Sequence, residues 1–102
     1  MKYIIVTTTV ENRRSAEELA KNIIKNNLGA CVQINEIESV YKWKGEIKNE
    51  KEFKIEIKTL SKNYTKLQDF IIQNHTYELP EIISVKIGRG YNKYLNWIKN
   101  KK

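Results

Sequence analysis

The sequence predicts an α+β fold in which an antiparallel four-stranded sheet carries two helices on one face. Three observations support this class. Strand-like and helix-like patterns follow one another in the order β-α-β-β-α-β, two neighbouring strands are joined by a two-residue turn, and a short helical pattern ends the chain. Split βαβ units with this order place both helices against the same face of the sheet. The chain has 102 residues, which is room for one domain, predicted to span 1–102.

The first strand and helix have clear local signals. A strand is predicted at Tyr3–Val10 because this run is rich in β-branched side chains. Ser15 and Glu18 have the spacing of a capping box, in which the serine side chain accepts from a backbone amide and the glutamate reaches back. Apolar residues then recur at helical spacing up to Leu28. Gly29 follows where a helix end favours positive φ, so we expect the helix to stop there.

A long β-hairpin is predicted over residues 30–43 and 46–60, with Lys44-Gly45 as its turn. A strand of about fourteen residues, at about 3.3 Å each, spans roughly 45 Å. The body of a 100-residue domain is only roughly 35 Å across. We therefore expect the hairpin to bend, to contain a bulge, or to reach past its own domain toward another copy of the chain.

The hairpin turn also predicts a register. A tight turn at Lys44-Gly45 pairs Cys31 with Lys58 and Trp43 with Glu46, unless a bulge near Glu36–Glu38 shifts the faces. One face is then apolar and is expected to pack on the helices, and the opposite face is polar. The apolar set is Val32, Ile34, Val40, Ile47, Phe53, Ile55 and Ile57.

The remaining elements are predicted from caps and breakers. Ser61 is expected to cap a second helix that runs to about His75. A loop follows over Thr76–Glu81, and Gly88-Arg89-Gly90 ends a fourth long strand. Asn92 is expected to cap the short terminal helix. The inner side of the second helix is predicted as Leu67, Phe70, Ile71 and Asn74, and the fourth strand as the alternation Ile83, Val85 and Ile87. The full pattern predicts a ferredoxin-like sheet with a long hairpin and a short C-terminal helix.

Composition excludes several classes. The net charge is +7, but the lysines are scattered and arginines are few, so nucleic-acid binding is not expected. The central strands would show Lys54, Glu56 and Lys58 rather than the stacking aromatics of an RNA-binding sheet. The longest apolar runs are far too short for a membrane span. One cysteine, and an N-terminus without signal-peptide character, predict a cytoplasmic protein.

Five short runs of the sequence together resemble the CutA family of divalent-cation tolerance proteins. They occur in the family's order and spacing and extend over nearly the whole chain. One departure is that Thr76 stands where the family usually has proline. The runs are Gly29-Ala30-Cys31-Val32-Gln33-Ile34, Tyr41-Lys42-Trp43-Lys44-Gly45-Glu46-Ile47, Ile57-Lys58-Thr59, His75-Thr76-Tyr77-Glu78-Leu79-Pro80-Glu81-Ile82-Ile83 and Tyr94-Leu95-Asn96-Trp97-Ile98.

The resemblance implies a tight homotrimer in which long hairpins extend onto neighbouring subunits. It also implies a site at the subunit boundary, a role in tolerance of divalent metals such as copper, and an architecture similar to trimeric PII-type signalling proteins. Aromatic side chains anchor many oligomers because they bury a large area at little entropic cost. Tyr41, Trp43 and Trp97 are therefore expected at the trimer interface.

Metal binding would involve Cys31, His75, Glu78 and Glu81. Thiolates and neutral imidazoles bind copper and zinc well, and carboxylates add oxygen ligands. The alternatives are that Cys31 is a small, partly buried core residue and that His75 ends a helix, favourably placed against its dipole. One cysteine and one histidine do not complete a tetrahedral site in one chain, so a three-fold axis would have to multiply the ligands.

Two further hypotheses concern function. The first is a PII-like sensor that binds an anionic ligand in an inter-subunit cleft through Gln33, Lys58 and Tyr77, although Lys58 also has a cross-strand glutamate available. The second is the absence of enzymatic activity. Gly88-Arg89-Gly90 lacks the spacing of a phosphate-binding loop, and no serine–histidine–aspartate arrangement is indicated. We therefore predict a non-enzymatic protein with no obligatory cofactor, which binds itself and a divalent cation.

Overall fold

The computed structural model describes residues 2–100, which form a four-stranded antiparallel sheet and three α-helices. The strand order is β2-β3-β1-β4, which confirms the predicted ferredoxin-like arrangement. The predicted domain 1–102 extends beyond the described residues at both ends and stays a prediction. The elements are β1 (Tyr3–Val10), α1 (Arg13–Lys25), β2 (Cys31–Trp43), β3 (Glu46–Leu60), a 3-10 turn (Ser61–Asn63), α2 (Tyr64–Gln73), β4 (Ile82–Lys86) and α3 (Asn92–Lys99).

The hairpin of β2 and β3 has the predicted register over its whole length. Cys31 pairs with Lys58, Trp43 pairs with Glu46, and the pairing between them is uninterrupted, without a bulge. Lys44 and Gly45 both have positive φ, 49° and 83°. These angles belong to a two-residue turn whose twist matches that of the flanking strands. The turn therefore sets which side chains of the hairpin share a face.

The core lies between the sheet and helices α1 and α2. β-strands alternate their side chains between two faces, so one face of β1 and β3 supplies the sheet side of this core. Phe53, Val32 and Ile34 pack against it and are partly buried. The completely buried apolar members are Val6, Ala16, Ile23, Ile55, Ile57, Leu67 and Ile71.

The outer half of the hairpin has no cover from its own chain. Val40 is 67% exposed and Ile47 is 77% exposed, so the prediction that they pack on the helices is wrong. Both residues lie beyond the reach of α1 and α2, because the hairpin continues past the helical layer. The long axis of the molecule is 45 Å, against 26 and 22 Å for the other two. Two large apolar side chains at the far end of an extended ribbon favour contact with another protein surface.

Helix α1 begins earlier than its capping box predicts. Asn12 is the N-cap, and its side chain accepts a hydrogen bond of 2.8 Å from the Ser15 amide. Glu18 instead contacts Arg14 at 3.2 Å, one turn away on the same face. Asparagine and serine are both good N-caps. The asparagine cap adds one more hydrogen-bonded turn, which places Ser15 inside the helix rather than at its start.

At the C-terminal end of α1, the left-handed backbone conformation is adopted by Asn27 rather than by Gly29. Asn27 has φ of 58°, and Gly29 is not in the left-handed region. The Leu28 amide donates to the Ile23 carbonyl, and the Asn27 amide donates to the Ile24 carbonyl, each at 3.0 Å. This pair of bonds is a Schellman motif, in which asparagine is a common substitute for glycine. Gly29 has a different role, because it lies in close contact with the core.

Four further features differ from the sequence prediction. Ser61 makes no capping hydrogen bond and opens a 3-10 turn instead, and α2 ends at Gln73 with Asn74 exposed as its C-cap. The fourth strand has five residues and is not long. Asn92 is the first residue of α3, whose N-cap is Tyr91. The predicted caps Ser61 and Asn92 lie two and one positions from the observed N-caps Asn63 and Tyr91, a difference of the size by which helix boundaries commonly vary.

Helix α3 covers one end of the sheet face opposite to α1 and α2. Lys58 lies on that face, and its Nζ is 5.5 Å from the ring centroid of Tyr94. Leu60 and Ile98 are buried outside the main core, consistent with packing between β3 and α3. Within residues 2–100, no helix combines the length and apolar character that crossing a membrane requires.

Candidate functional site

A groove of about 870 Å³ lies between the outer half of the hairpin and the loop that joins α2 to β4. Tyr41, Trp43, Glu50 and Glu52 line it from the hairpin, because the register places all four on the face opposite to the core. The loop supplies the other wall. Its lining residues are Tyr77, Glu78, Leu79 and Glu81.

Tyr77 connects the two walls of the groove. Its hydroxyl donates a hydrogen bond of 2.8 Å to Oε2 of Glu52. Glu52 is only 7% exposed although it carries a carboxylate. Burial of the phenol, together with the hydrogen bond to Glu52 and the charge of that residue, raises the pKa of Tyr77 well above its ordinary value. The phenol therefore stays protonated and remains a donor to the carboxylate.

Tyr41 and Glu50 form a second tyrosine–glutamate pair on the hairpin. The Tyr41 hydroxyl donates to Oε1 of Glu50, which lies diagonally across the two strands. This hydrogen bond is the main reason that the pKa of Tyr41 is raised from 10.0 to about 12, because ionisation would place a phenolate beside the carboxylate. Two phenols thus face two carboxylates inside one groove.

Base titration should reveal the Tyr41–Glu50 pair. The folded-state pKa lies above the unfolded value of 10.0, so the stability linked to this group is complete below pH 10. It is then lost as pH rises through about 12. The variant Tyr41→Phe identifies the part of the tyrosinate absorbance that belongs to Tyr41. In the parent protein, we expect this absorbance to rise with pH and to reach its midpoint near pH 12. Glu50→Gln should move that midpoint down toward 10, with circular dichroism confirming the fold at each pH. A Tyr41 midpoint near 10 in the parent would contradict the geometry.

His75 lies next to the groove with both ring nitrogens in use. Nε2 is 2.7 Å from the carbonyl oxygen of Thr9, so this nitrogen carries the proton and donates. Nδ1 accepts from the Tyr77 amide at 3.1 Å. Thr76, which replaces the proline usual in the family, donates from Oγ1 to Glu11 Oε1 at 3.0 Å. The loop is therefore held by side-chain hydrogen bonds, and metal binding by His75 requires the loss of one of them.

The predicted metal ligands are not brought together within one chain. Cys31 pairs with Lys58 across the sheet, and Lys58 pairs in turn with Ile5, whereas the ring of His75 is hydrogen-bonded to the carbonyl of Thr9. Ile5 and Thr9 are four residues apart on β1, which corresponds to about 13 Å along the strand. Glu78 and Glu81 line the groove, on the side of His75. Residues 2–100 contain no group of three or more histidine, cysteine, aspartate or glutamate side chains placed to hold one ion. A single chain therefore does not fit a closed metal site.

The predicted anion site is also divided. Gln33 and Lys58 are close, since Gln33 pairs with Glu56, two residues from Lys58. Tyr77 contacts Glu52, which lies six residues along β3 from Lys58, a separation of about 20 Å. These three residues do not form a common pocket in one chain, and the structure does not favour anion sensing over cation tolerance.

The three predicted interface aromatics remain accessible, at two places on the molecule. Tyr41 and Trp43 line the groove, and Trp97 stacks on Tyr94 with 5.7 Å between ring centroids. Ile83 and Val85 of β4 were expected in an ordinary alternating strand, yet they are 52% and 55% exposed on the face opposite to the core. That face therefore combines the polar hairpin residues with an apolar strip.

Glu50 and Glu52 are groove residues that sequence reasoning did not single out. The predicted register already placed both on the same face as Tyr41 and Trp43. The contact from Tyr77 to Glu52 joins positions 25 residues apart and depends on the path of the loop. The periodicity of a sequence does not predict the path of a loop. In the sequence, the carboxylates of Glu50 and Glu52 were therefore indistinguishable from ordinary solvated side chains.

Comparison with known proteins gives consistent matches. The family described as CutA1 divalent ion tolerance protein matches residues 4–101. The chloroplastic CutA protein of Arabidopsis thaliana is 41% identical over 98 residues, which cover 95% of this chain and 54% of that protein. The chain thus spans about half the length of this relative.

Two solved structures are similar to this chain over nearly their whole length. CutA1 from Oryza sativa superposes with a TM-score of 0.95 at 40% identity, covering 98% of this chain and 93% of that one. The periplasmic divalent cation tolerance protein CutA from Archaeoglobus fulgidus has a TM-score of 0.94 at 32% identity, covering 96% of each chain. The α+β fold described above is therefore shared with both.

Proposed function

Because this chain belongs to the CutA1 family of divalent ion tolerance proteins, we propose that it contributes to divalent-cation tolerance by binding ions such as copper reversibly. The cation is the ion to which the protein responds and not a resident cofactor. The protein acts in the cytoplasm as a homotrimer and catalyses no reaction. The divalent-cation role rests on the family match over residues 4–101. The homotrimer is supported by the uncovered apolar end of the hairpin, where Val40 and Ile47 need a partner surface.

Assembly also accounts for the separation of the candidate ligands. Cys31 lies at one end of the sheet, and His75, Glu78 and Glu81 lie toward the other. A three-fold arrangement can bring groups from different subunits close to one another, as the hairpin length favours. Cys31 then supplies a soft thiolate ligand, and the glutamates supply oxygen ligands. His75 joins the site only by giving up the hydrogen bond from Tyr77 or the one to Thr9.

Calorimetric titration with copper tests this proposal. We expect the parent protein to bind copper, and Cys31→Ser and His75→Ala each to bind at least about tenfold more weakly, since loss of a supporting residue alone typically costs that much. Glu17→Gln, an exposed substitution on α1, is the matched control and should bind as the parent does. Copper binding that is unchanged in both Cys31→Ser and His75→Ala rejects these residues as ligands.

A further inference from the structure

The fold gathers basic residues that are scattered in the sequence at one end of the sheet. Strand β1 runs antiparallel to both β3 and β4, so its first residues lie beside the last residues of those strands. Tyr3 pairs with Leu60, and Ile4 pairs with Lys86. These three strand ends therefore meet at the end of the sheet opposite to the hairpin turn, and α3 lies over the same end, next to Lys58.

Six exposed basic residues lie at this end of the sheet, which we call the basic end. One precedes β1, one lies in the 3-10 turn after β3, two lie at and just after the end of β4, and two lie on α3. They are Lys2, Lys62, Lys86, Arg89, Lys93 and Lys99. Among residues 2–100, none of the six forms an ion pair; the ion pairs found there involve the hairpin or the start of α1. Direct pairing within the chain therefore leaves their charges uncompensated.

Most of the net charge of the protein belongs to this region. Residues 82–102 contain five lysines, one arginine and no acidic residue, so they carry +6 of the net charge of +7. Residues 31–60, which include the hairpin, contain six lysines and six glutamates and are neutral as a whole. The molecule is therefore electrostatically asymmetric along the sheet. A strong field of one sign at one end favours association with a surface of the opposite sign.

The chemistry of the basic end favours an anionic lipid surface over a nucleic acid. Five of its six basic residues are lysines, which are hydrated point charges, whereas nucleic-acid recognition favours the planar fork of arginine. Clusters of about four to eight basic residues are typical of proteins that bind anionic phospholipids. Tyr91, which stands between Arg89 and Lys93 in the sequence, is 71% exposed. Tyrosine is enriched where proteins meet the headgroup region of a membrane.

We propose that the basic end docks on the anionic phospholipid surface of a membrane, with the ring of Tyr91 at the level of the headgroups. The attraction is electrostatic, and the chain binds at the surface without crossing the bilayer. This inference goes beyond the function proposed above. It uses none of the residues proposed for copper binding and none of the aromatic residues predicted for the trimer interface.

Vesicle co-sedimentation of the full chain, in the presence of a metal chelator, tests the proposal. We expect the protein to bind vesicles of mixed phosphatidylserine and phosphatidylcholine, and not vesicles of phosphatidylcholine alone. An ionic strength of about 1 M, at which the screening length falls to about 3 Å, should release the protein. Absence of binding to the phosphatidylserine vesicles overturns the proposal. A single-stranded DNA oligonucleotide that binds when these vesicles do not would identify nucleic acid as the partner instead. The copper titration is a separate measurement, so either proposal can fail alone.

Charge reversals locate the docking surface. Lys62→Glu/Arg89→Glu changes two exposed residues outside the strands and α-helices, and we expect affinity for the phosphatidylserine vesicles to fall at least about tenfold. Lys62→Arg/Arg89→Lys keeps both charges and should bind as the parent does. Arg14→Glu/Lys21→Glu on α1 changes the net charge by the same amount away from the basic end, and should weaken binding much less. Circular dichroism confirms the fold of each variant. Equal losses in the two charge-reversal variants would mean that binding follows net charge alone, and would refute docking through the basic end.

Discussion

The double variant Val40→Asp/Ile47→Asp is expected to sediment as a single chain of 12.1 kDa, and the parent is expected to sediment at about three times that mass, as the proposed homotrimer requires. Both side chains are more than half exposed in the isolated chain and share the apolar face of the hairpin. Complete burial of one such side chain contributes about 1.5–3 kcal/mol. Two carboxylates buried without partners in each subunit should therefore remove most of the free energy of association. Sedimentation equilibrium at micromolar concentration measures the outcome.

The fold of the single chain should survive this change. Ile47 pairs with Lys42 across the hairpin, so an aspartate at position 47 gains a basic neighbour in the isolated subunit. Ile72→Asp is the matched control, since Ile72 is a 51% exposed isoleucine on α2, away from the hairpin. We expect Ile72→Asp to keep the mass of the parent. A parent that sediments as one chain, or a double variant that keeps the parent's mass, would show that the hairpin does not mediate assembly.

The hairpin was predictable because its information is local. Lys44-Gly45 specifies a turn type, and the turn type specifies thirteen residue pairs from Cys31–Lys58 to Trp43–Glu46. How far the helical layer extends over the sheet depends on tertiary packing and not on the local sequence of the hairpin. The sequence therefore predicted which face Val40 and Ile47 occupy, but not that no helix reaches them.

Caps were less predictable because several residues compete for one role. Asn12 and Ser15 are both suitable N-caps for α1, and the choice depends on the end of β1 two residues before Asn12. Asn27 and Gly29 are both suitable residues for the left-handed position after α1. The structure uses Asn27 there because the position of Gly29 is determined by a close contact with the sheet instead.

The groove was the least predictable part of the molecule. Its two halves come from the hairpin and from a loop that regular periodicity does not describe, and Tyr77 links them through Glu52. Glu52 has the pattern of a solvated strand residue in the sequence, yet it is buried. Conversely, the predicted ligands Cys31 and His75 were grouped by their chemistry, and the sheet places them in separate rows.

Substitution of Gly29 by alanine adds only one methyl group but should destabilise the protein strongly. A Cβ atom at this buried position would lie 2.6 Å from Cγ2 of Ile57 and 3.1 Å from Cγ2 of Ile23. Both methyl groups branch directly from Cβ in completely buried side chains, so neither moves away easily. Overpacking of this kind typically costs about 1–3 kcal/mol. Urea unfolding at fixed protein concentration measures the loss, since the stability of an oligomer depends on concentration.

Two comparisons make this test specific to the contact. Gly88→Ala meets no atom within 4 Å and requires no left-handed backbone, so its effect should stay within about 0.5 kcal/mol. Ile57→Leu moves the branch point away from Cβ and removes the methyl group that the new Cβ would strike. The cost of Gly29→Ala should therefore be smaller in the Ile57→Leu background, giving a coupling energy of about 0.5 kcal/mol or more. Equal costs in both backgrounds would mean that the close approach of helix end and sheet is not what requires glycine at this position.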